Sequence, residues 1–229
     1  HGIYTYPHTV TLVELASQTS IDIYHEDLQK GSEIGNSEYL LKVRDALFSR
    51  DGQSLALTTS DGIYMYDRAT KSTTMVWTNR SNPSDWKSIP PADKGQVYGF
   101  RPVAFSPNKK LLLAESVHYE WTKPFIVDLE NKAFVAIDAS LTNREMTAFD
   151  WKSDTELLFV KFEIVNMGMD DENTASSVMV YDLGSKERRE LSKHMGNVTA
   201  EIVIGKVLYY TVVNRESEVY TNTIESVNL

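Results

Sequence analysis

The sequence predicts an all-β fold, a β-propeller built from four-stranded antiparallel blades. Two observations lead to this prediction. Residues 46–77 divide into four short runs of β-branched and aromatic residues, separated by turns rich in Gly, Asp, Ser and Thr. The same unit recurs twice further along the 229-residue chain, and self-similarity at a period of roughly 40 to 50 residues is typical of propellers and solenoids.

Residues 46–77 predict one complete blade. The first run stops at Asp51-Gly52, where the glycine accommodates the positive φ of a tight hairpin turn, and an apolar run resumes at Leu55. The third run ends at Asp67, whose carboxylate can accept hydrogen bonds from the amides of the following turn. The chain then returns as a fourth run that ends at Trp77.

Three landmarks recur in each unit: an aromatic residue before the first turn, an apolar leucine after it, and an aspartate at the end of the third strand. The aromatic residues are Phe48, Phe105 and Trp151, the leucines are Leu55, Leu112 and Leu158, and the aspartates are Asp67, Asp128 and Asp182. They delimit repeat units at about residues 43–77, 101–137 and 146–191, with partial blades at 1–26 and 198–229.

The pattern Phe-Ser-x-Asp-Gly, followed by an apolar strand and a Tyr-x-Tyr-Asp strand, resembles the WD-like repeats of TolB and of the propeller domains of prolyl oligopeptidase relatives. The Trp-Asp dipeptide of the standard WD repeat is missing, since Tyr66-Asp67 and Tyr181-Asp182 stand in its place. The resemblance covers residues 46–191 well. It implies a single propeller-like domain over residues 1–229, either small with four or five blades or a segment of a larger propeller.

Partial blades at both ends favour closure, in which strands from the two termini complete one shared blade and remove an exposed edge. The alternatives are a segment of a larger propeller, or terminal sheets that pair with another chain. The oligomeric state stays open at this point. The first residue is His1 rather than Met, which favours proteolytic processing or an isolated segment.

Composition disfavours several classes of partner. The net charge is −9, and no cluster of basic residues offers the footprint of a nucleic-acid reader. No run approaches the roughly 18 apolar residues of a membrane helix. The chain has no cysteine, so it contains no disulfide, no Cys-ligated zinc and no thiol nucleophile. We expect a periplasmic or secreted protein, with a cytoplasmic location as the alternative.

Long connections mark one side of the predicted blades, at residues 27–39, 78–99, 117–123 and 163–176. Binding groups concentrate on such loops above a rigid scaffold. The candidate binding residues there are Trp86, Tyr98, His118, Tyr119, Glu120 and Trp121. The alternative is that these aromatic side chains are half-buried where the loops fold over the blade edges.

Clustered carboxylates at Asp170, Asp171 and Glu172 are weak candidates for a hard cation such as calcium. The calcium-loop spacing with its distal glutamate is absent, and a solvated acidic tip is the favoured interpretation. We predict no cofactor.

The sequence contains no motif for catalysis, neither a Gly-x-Ser-x-Gly elbow nor a His-Glu-x-x-His pair. It favours a non-enzymatic scaffold that binds a protein, peptide or cell-envelope partner through the long-loop side. Two alternatives stay open. One is a hydrolase or lyase propeller, or the propeller domain of a larger serine peptidase, and the other is the extracytoplasmic sensory domain of a membrane-anchored regulator.

Overall fold

The computed structural model describes residues 9–14, 18–25, 45–58, 62–78, 99–117, 122–135, 137, 146–167, 172–216 and 219–229. These residues form β-strands and turns and contain no helix, which confirms the all-β prediction. The same part of the chain offers no helix with the length and hydropathy of a membrane span.

The strands form five antiparallel sheets. The first is a hairpin of β1 (Thr9–Glu14) and β2 (Thr19–His25). Three four-stranded sheets follow, and in each the strands pair in chain order. The first consists of β3 (Asp45–Phe48), β4 (Ser54–Thr58), β5 (Gly62–Asp67) and β6 (Ser72–Thr78). The second consists of β7 (Gly99–Phe105), β8 (Leu111–Val117), β9 (Thr122–Asp128) and β10 (Ala133–Val135), and the third of β11 (Met146–Trp151), β12 (Glu156–Met167), β13 (Glu172–Asp182) and β14 (Arg188–Met195). The last has three strands, β15 (Asn197–Ile204), β16 (Val207–Glu216) and β17 (Val219–Asn228).

These sheets confirm the predicted blades, although they do not close. In the described residues, β1–β2 and β15–β17 are separate sheets, and no ladder joins them into the shared blade that the sequence favoured. A partial propeller fits this arrangement. The contacts divide the chain into two compact units, His1–Pro102 with Ala114–Val135, and Val103–Leu113 with Ala136–Leu229. The expectation of a single domain over residues 1–229 stays a prediction.

The Phe-Ser landmark has a local cause. The buried hydroxyl of Ser49 donates to Asp51 Oδ1 at 2.7 Å and accepts from the amide of Ser54 at 2.9 Å. Ser106 repeats this arrangement with Asn108 Oδ1 at 2.8 Å and the amide of Leu111 at 3.0 Å. Each serine therefore satisfies its own polar atom while it fixes the first hairpin.

The aspartate landmark works in the same way at the second hairpin. Asp67 Oδ1 accepts from the amide of Thr70 at 2.8 Å, Asp128 Oδ1 from that of Asn131 at 2.8 Å, and Asp182 Oδ1 from that of Ser185 at 2.7 Å. The last turn residue then adopts a positive φ before the fourth strand begins. The residues with this conformation are Lys71 (53°), Lys132 (53°) and Lys186 (65°), and Gln18 (54°) occupies the same place between β1 and β2.

Both units bury the leucine landmark and the strand that contains it. In the first unit, the β1–β2 hairpin packs on the β3–β6 sheet, where Ile23 joins Leu55, Leu57 and Tyr66 in one cluster. In the second, Val160 and Val178 of the β11–β14 sheet pack against a set from the β15–β17 sheet: Val198, Leu208, Tyr210 and Val212. Each fully buried aliphatic side chain contributes roughly 1.5 to 3 kcal/mol.

Two of the predicted long connections are wrong. Strand β8 runs to Val117 and β9 begins at Thr122, so residues 118–121 alone connect them. Strands β12 and β13 pair as far as Met167 and Glu172, and residues 168–171 connect them. Most of residues 163–176 is therefore strand, because cross-strand pairing continues through a polar stretch that the sequence analysis had assigned to a loop.

Candidate functional site

Nearly all of the predicted site residues lie outside the residues that the structure describes. These are Trp86, Tyr98, His118, Tyr119, Glu120, Trp121, Asp170 and Asp171. Glu172 is the first residue of β13 and pairs with Met167 of β12, so its backbone belongs to a ladder and not to an acidic loop. In the described ranges, no group of three or more His, Asp or Glu residues has the geometry to hold a metal ion.

We call the end of a sheet that carries its first and third turns the turn end, and the opposite end the loop end. Residues 118–121 connect β8 to β9 at the loop end of the β7–β10 sheet, and residues 79–98 lead into the same end from β6. The described strand residues that border these two segments define what geometry is available for a site there.

An aromatic cluster holds the two ends of residues 79–98 together. The rings of Trp77 and Phe100 meet edge to face with centroids 4.9 Å apart, and Phe125 lies 5.4 Å from the first and 5.8 Å from the second. Phe100 and Phe125 are fully buried. The strand residues on either side of residues 79–98 are therefore fixed close together.

Beside this cluster, Arg101 of β7 and Glu115 of β8 form an ion pair across adjacent strands. Arg101 Nε donates to Glu115 Oε2 at 3.1 Å, and Nη2 donates to the same oxygen. The two exposures are very different: the Glu115 side chain is 1% exposed and the Arg101 side chain is 51% exposed. The carboxylate is thus part of the interior, whereas half of the guanidinium side chain faces solvent.

This asymmetry makes Arg101 a fixed donor rather than a mobile surface cation. A guanidinium carries five N–H donors in a rigid fork, and the bonds to Glu115 use two of them. The pair is neutral as a whole, so the remaining N–H groups offer directed hydrogen bonds rather than net positive charge. Oxygen acceptors of a peptide or carboxylate match this geometry.

A groove of about 330 Å³ lies at the turn end of the β3–β6 sheet in the first unit. Its walls come from β1, β3, the ends of β4 and β5, and the two turns of the sheet. The residues that form them are Leu12, Val13, Phe48, Gly52, Gln53, Ser54, Tyr66 and Arg68. Val13 and Phe48 leave about half of their surfaces exposed in it. The groove is mostly apolar, which suits a hydrophobic side chain.

A chain of polar side chains joins β14 to the β15–β17 sheet. Tyr210 Oη lies 3.1 Å from Ser192 Oγ and 2.9 Å from His194 Nε2, and His194 Nδ1 lies 3.4 Å from Glu225 Oε2. Burial raises the pKa of the Tyr210 hydroxyl, and the nearby Glu225 carboxylate adds to this effect.

The Glu225–His194–Tyr210–Ser192 chain contains the residue types of a hydrolase but not the geometry. A serine nucleophile needs the imidazole within hydrogen-bond reach, whereas here the tyrosine hydroxyl stands between Ser192 and His194. Tyr210 is 2% exposed whereas the Glu225 side chain is 39% exposed, so the chain runs from the interface between two sheets toward solvent. Its role in the described structure is to satisfy polar groups where the sheets pack.

Comparison with solved structures finds the same architecture at low sequence identity. TolB from Acinetobacter baumannii aligns with a TM-score of 0.53 and 14% identity over 96% of this chain and 48% of its own. The putative TolB from Agrobacterium tumefaciens aligns with a TM-score of 0.53 and 8% identity over 96% and 70% of the two chains. The fold is that of a TolB-type β-propeller. An uncharacterized protein from Listeria monocytogenes EGD-e also matches, with a TM-score of 0.52 and 10% identity over 94% of this chain and 55% of its own.

The chain spans about half the length of the Acinetobacter protein. No protein-family model matches it, and no curated protein matches its sequence. At such identities the likeness shows the fold alone, and the resemblance predicted from the repeats is confirmed at that level.

Sequence reasoning missed the Arg101–Glu115 pair and the groove. Both depend on which residues face one another across strands or between a hairpin and a sheet, and neither has a motif of its own. One sequence feature was available for the pair, because a glutamate inside the apolar run Leu111–Val117 of a predicted strand requires a buried partner.

Proposed function

We propose that this chain is a non-enzymatic binding scaffold that engages a protein or peptide partner at the loop end of its sheets. The observation that carries the proposal is Arg101, whose half-exposed guanidinium is fixed by the buried carboxylate of Glu115. A surface arginine normally loses side-chain entropy when it binds, and here the fold has already ordered it. Such a residue is suited to recognise acceptor oxygens with defined geometry.

The six loop residues from the sequence analysis belong to the same proposal. His118, Tyr119, Glu120 and Trp121 follow β8 by one to four residues, and Trp86 and Tyr98 lie in the segment whose ends Trp77 and Phe100 hold together. Tryptophan, tyrosine and arginine are the residue types that dominate binding energy in protein interfaces. In this proposal the aromatic residues supply apolar contact while Arg101 sets the orientation of the partner.

The proposal also includes a location for the protein, which we infer from the fold. The likeness to TolB propellers supports a role in protein interaction outside the cytoplasm, in the periplasm or after secretion, and we include that location in the proposal. The hydrolase or lyase propeller, the propeller domain of a larger serine peptidase and the sensory domain of a membrane-anchored regulator are the competing assignments. In the described residues, the one chain with catalytic residue types has Tyr210 between its serine and its histidine.

Selection from a displayed library of random ten-residue peptides tests the proposal. The affinities of peptides selected on the wild-type chain are then measured for the Arg101→Lys variant. This substitution keeps a positive charge beside Glu115 but removes the forked N–H donors of the guanidinium. We expect their dissociation constants to rise by about 10- to 100-fold, since a hydrogen bond to a charged group contributes roughly 1.5 to 3 kcal/mol. Circular dichroism of the variant establishes that the sheets are intact.

Arg68→Lys is the matched control, because Arg68 is also an exposed arginine but lies at the turn end of the β3–β6 sheet, beside the groove. We expect it to leave the selected peptides' affinity unchanged. A loss confined to Arg68→Lys would assign binding to the turn end, and equal losses for the two variants would show that binding is not specific to Arg101. Either result would overturn the proposal. Failure to select any peptide above a denatured control would also overturn it.

A further inference from the structure

Exposed cations gather at the turn end of the second compact unit, which comprises Val103–Leu113 and Ala136–Leu229. They come from the β7–β8 turn, the β13–β14 turn with the start of β14, and the β15–β16 turn, so they are scattered in the sequence. The six cations are Lys109, Lys110, Lys186, Arg188, Arg189 and Lys206. Among the described residues of this end, the exposed acidic ones are Glu187 and Glu190. The exposed charge here is therefore positive, although the chain as a whole has a net charge of −9.

The other acidic residues of this end are half-buried and engaged in bonds of the fold. Asp182 accepts from amides of its own turn, and Glu156 pairs with Lys152 at 3.0 Å. Asp154 Oδ1 accepts at 2.8 Å from the amide of Asn108 in the β7–β8 turn. This bond fixes the β7–β8 turn beside the β11–β12 turn, so cations of different sheets lie on one surface.

Two of the cations occupy backbone positions that favour glycine. Lys109 has a φ of 60° and Lys186 a φ of 65°, whereas Gly52 (67°) holds the matching place in the β3–β4 turn and Gly205 (63°) that in the β15–β16 turn. A residue with a Cβ atom is strained in this left-handed conformation and glycine is not. Strained residues of this kind cluster at functional sites. The fold alone therefore does not explain why lysine stands at these two positions.

The spread of the cations indicates the kind of partner. Stacked sheets lie about 10 Å apart, so a surface that spans the tips of three sheets is roughly 20 Å wide and exceeds any one small anion. The core of a protein interface is usually apolar and depleted of lysine. Among the described residues of this end, Ile204 is the single large hydrophobic residue that is exposed. A bilayer leaflet with anionic headgroups offers negative charge over a wide area and attracts lysine and arginine.

We propose that the turn end of the second unit docks on the anionic headgroups of a lipid bilayer, whose phosphate oxygens accept hydrogen bonds from its lysines and arginines. The net charge of −9 does not prevent this, because charges farther than about 8 to 10 Å are largely screened at physiological ionic strength. Strand β13 has 11 residues and is roughly 35 Å long, so the loop end of its sheet lies beyond that range. This surface does not include Arg101, and the inference does not depend on the proposed function.

Co-sedimentation with phospholipid vesicles tests the docking. The wild-type chain should bind vesicles that contain phosphatidylcholine and phosphatidylglycerol in equal amounts at about 0.1 M salt. Its partition coefficient should be at least about tenfold lower for pure phosphatidylcholine, or at about 0.5 M salt. The double variant Lys109→Gly/Lys186→Gly removes two cations from positions that suit glycine. We expect its thermal stability to be kept or raised while its partition coefficient falls at least about tenfold.

Lys161→Gln/Lys193→Gln is the matched control, because it changes the net charge by the same amount in the same unit. Both lysines bind Glu163 and lie farther along β12 and β14, away from the turn end. We expect this variant to bind the vesicles as the wild-type chain does. Equal losses for the two double variants, wild-type binding that does not require phosphatidylglycerol, or full binding by Lys109→Gly/Lys186→Gly would each overturn the proposal. Binding to soluble heparin without binding to vesicles would also overturn it and assign the surface to a polyanion.

Discussion

Three buried tyrosines allow one chemical change to be tested in two different environments. Tyr210 Oη has Ser192 and His194 within hydrogen-bond distance, whereas Tyr66 Oη and Tyr181 Oη have no partner among the described residues. All three residues are at most 2% exposed. Replacement by phenylalanine removes only the hydroxyl, so the apolar packing of the ring stays nearly the same.

The expected effects have opposite signs. Tyr210→Phe leaves two partly buried polar partners without their bond, which costs about 1 to 2 kcal/mol. Tyr66→Phe and Tyr181→Phe instead remove a buried hydroxyl that has lost its hydrogen bonds to water and gained none in the fold. We therefore expect these variants to keep the wild-type stability or to gain up to about 1 kcal/mol.

Urea unfolding monitored by tryptophan fluorescence and by far-UV circular dichroism measures these differences. For an m-value near 3 kcal/mol/M, the top of the range for small proteins, Tyr210→Phe should lower the midpoint by roughly 0.3 to 0.7 M. The other two variants should leave it unchanged or raise it. If Tyr66→Phe destabilises as much as Tyr210→Phe, the Tyr66 hydroxyl is hydrogen-bonded and the reasoning is refuted.

The same tyrosine predicts a pH dependence. Burial raises the pKa of Tyr210 above its ordinary value of about 10, so the unfolded chain ionises there first. The stability contributed by the neutral hydroxyl is therefore complete below about pH 10 and is lost as the pH rises through the folded-state value. Tyr210→Phe should flatten this alkaline loss in urea midpoints measured from pH 8 to pH 11.

Three further predictions concern single residues. Burial raises the pKa of Glu201, so the ionised carboxylate destabilises the folded chain once the pH exceeds the ordinary pKa of a glutamate. Glu201→Gln should therefore raise the urea midpoint at pH 7 but not at pH 3.5. Equal gains at both pH values would contradict this prediction. Lys71 holds a φ of 53°, so Lys71→Gly should raise stability by about 0.5 to 1 kcal/mol in thermal unfolding, whereas Thr74→Gly in the adjacent strand should lower it. The hydrogen bond from the amide of Ser185 is the main reason that the pKa of Asp182 is lowered. The ionised carboxylate therefore stabilises the fold at pH values above its ordinary pKa, and this stabilisation is lost as the pH falls. Asp182→Asn should remove the part of the acid-induced fall in urea midpoint that this carboxylate causes, and an unchanged fall would contradict the prediction.

The turns were predictable because their chemistry is local. Ser49 and Asp67 bond to amides within five residues of themselves, so a short stretch of sequence contains both the donor and the acceptor. The recurrence of these contacts at Ser106, Asp128 and Asp182 is what made the repeat visible. The positive φ of Lys71 was hidden, because lysine is not a residue type that marks a left-handed conformation.

Strand length and the loop-end pair were not predictable in the same way. Polar residues of β12 such as Lys161 and Glu163 resemble a loop in the sequence, yet they pair with Ser177 and Ala175 of β13 in the folded sheet. The ladder provides backbone partners whatever the side chains are, so the strand continues as long as its neighbour does. The predicted loop at residues 163–176 failed for this reason.

The sequence by itself determined the blade, since alternating strands and short-range turn bonds repeat often enough to identify a propeller of four-stranded sheets. Tertiary structure decided which side chains meet. Arg101 finds Glu115 only through the register of two strands, and Tyr210 reaches His194 only because two sheets stack. Turn contacts join residues that are close in the chain, whereas site contacts join residues whose proximity depends on register and packing, and local sequence does not encode these.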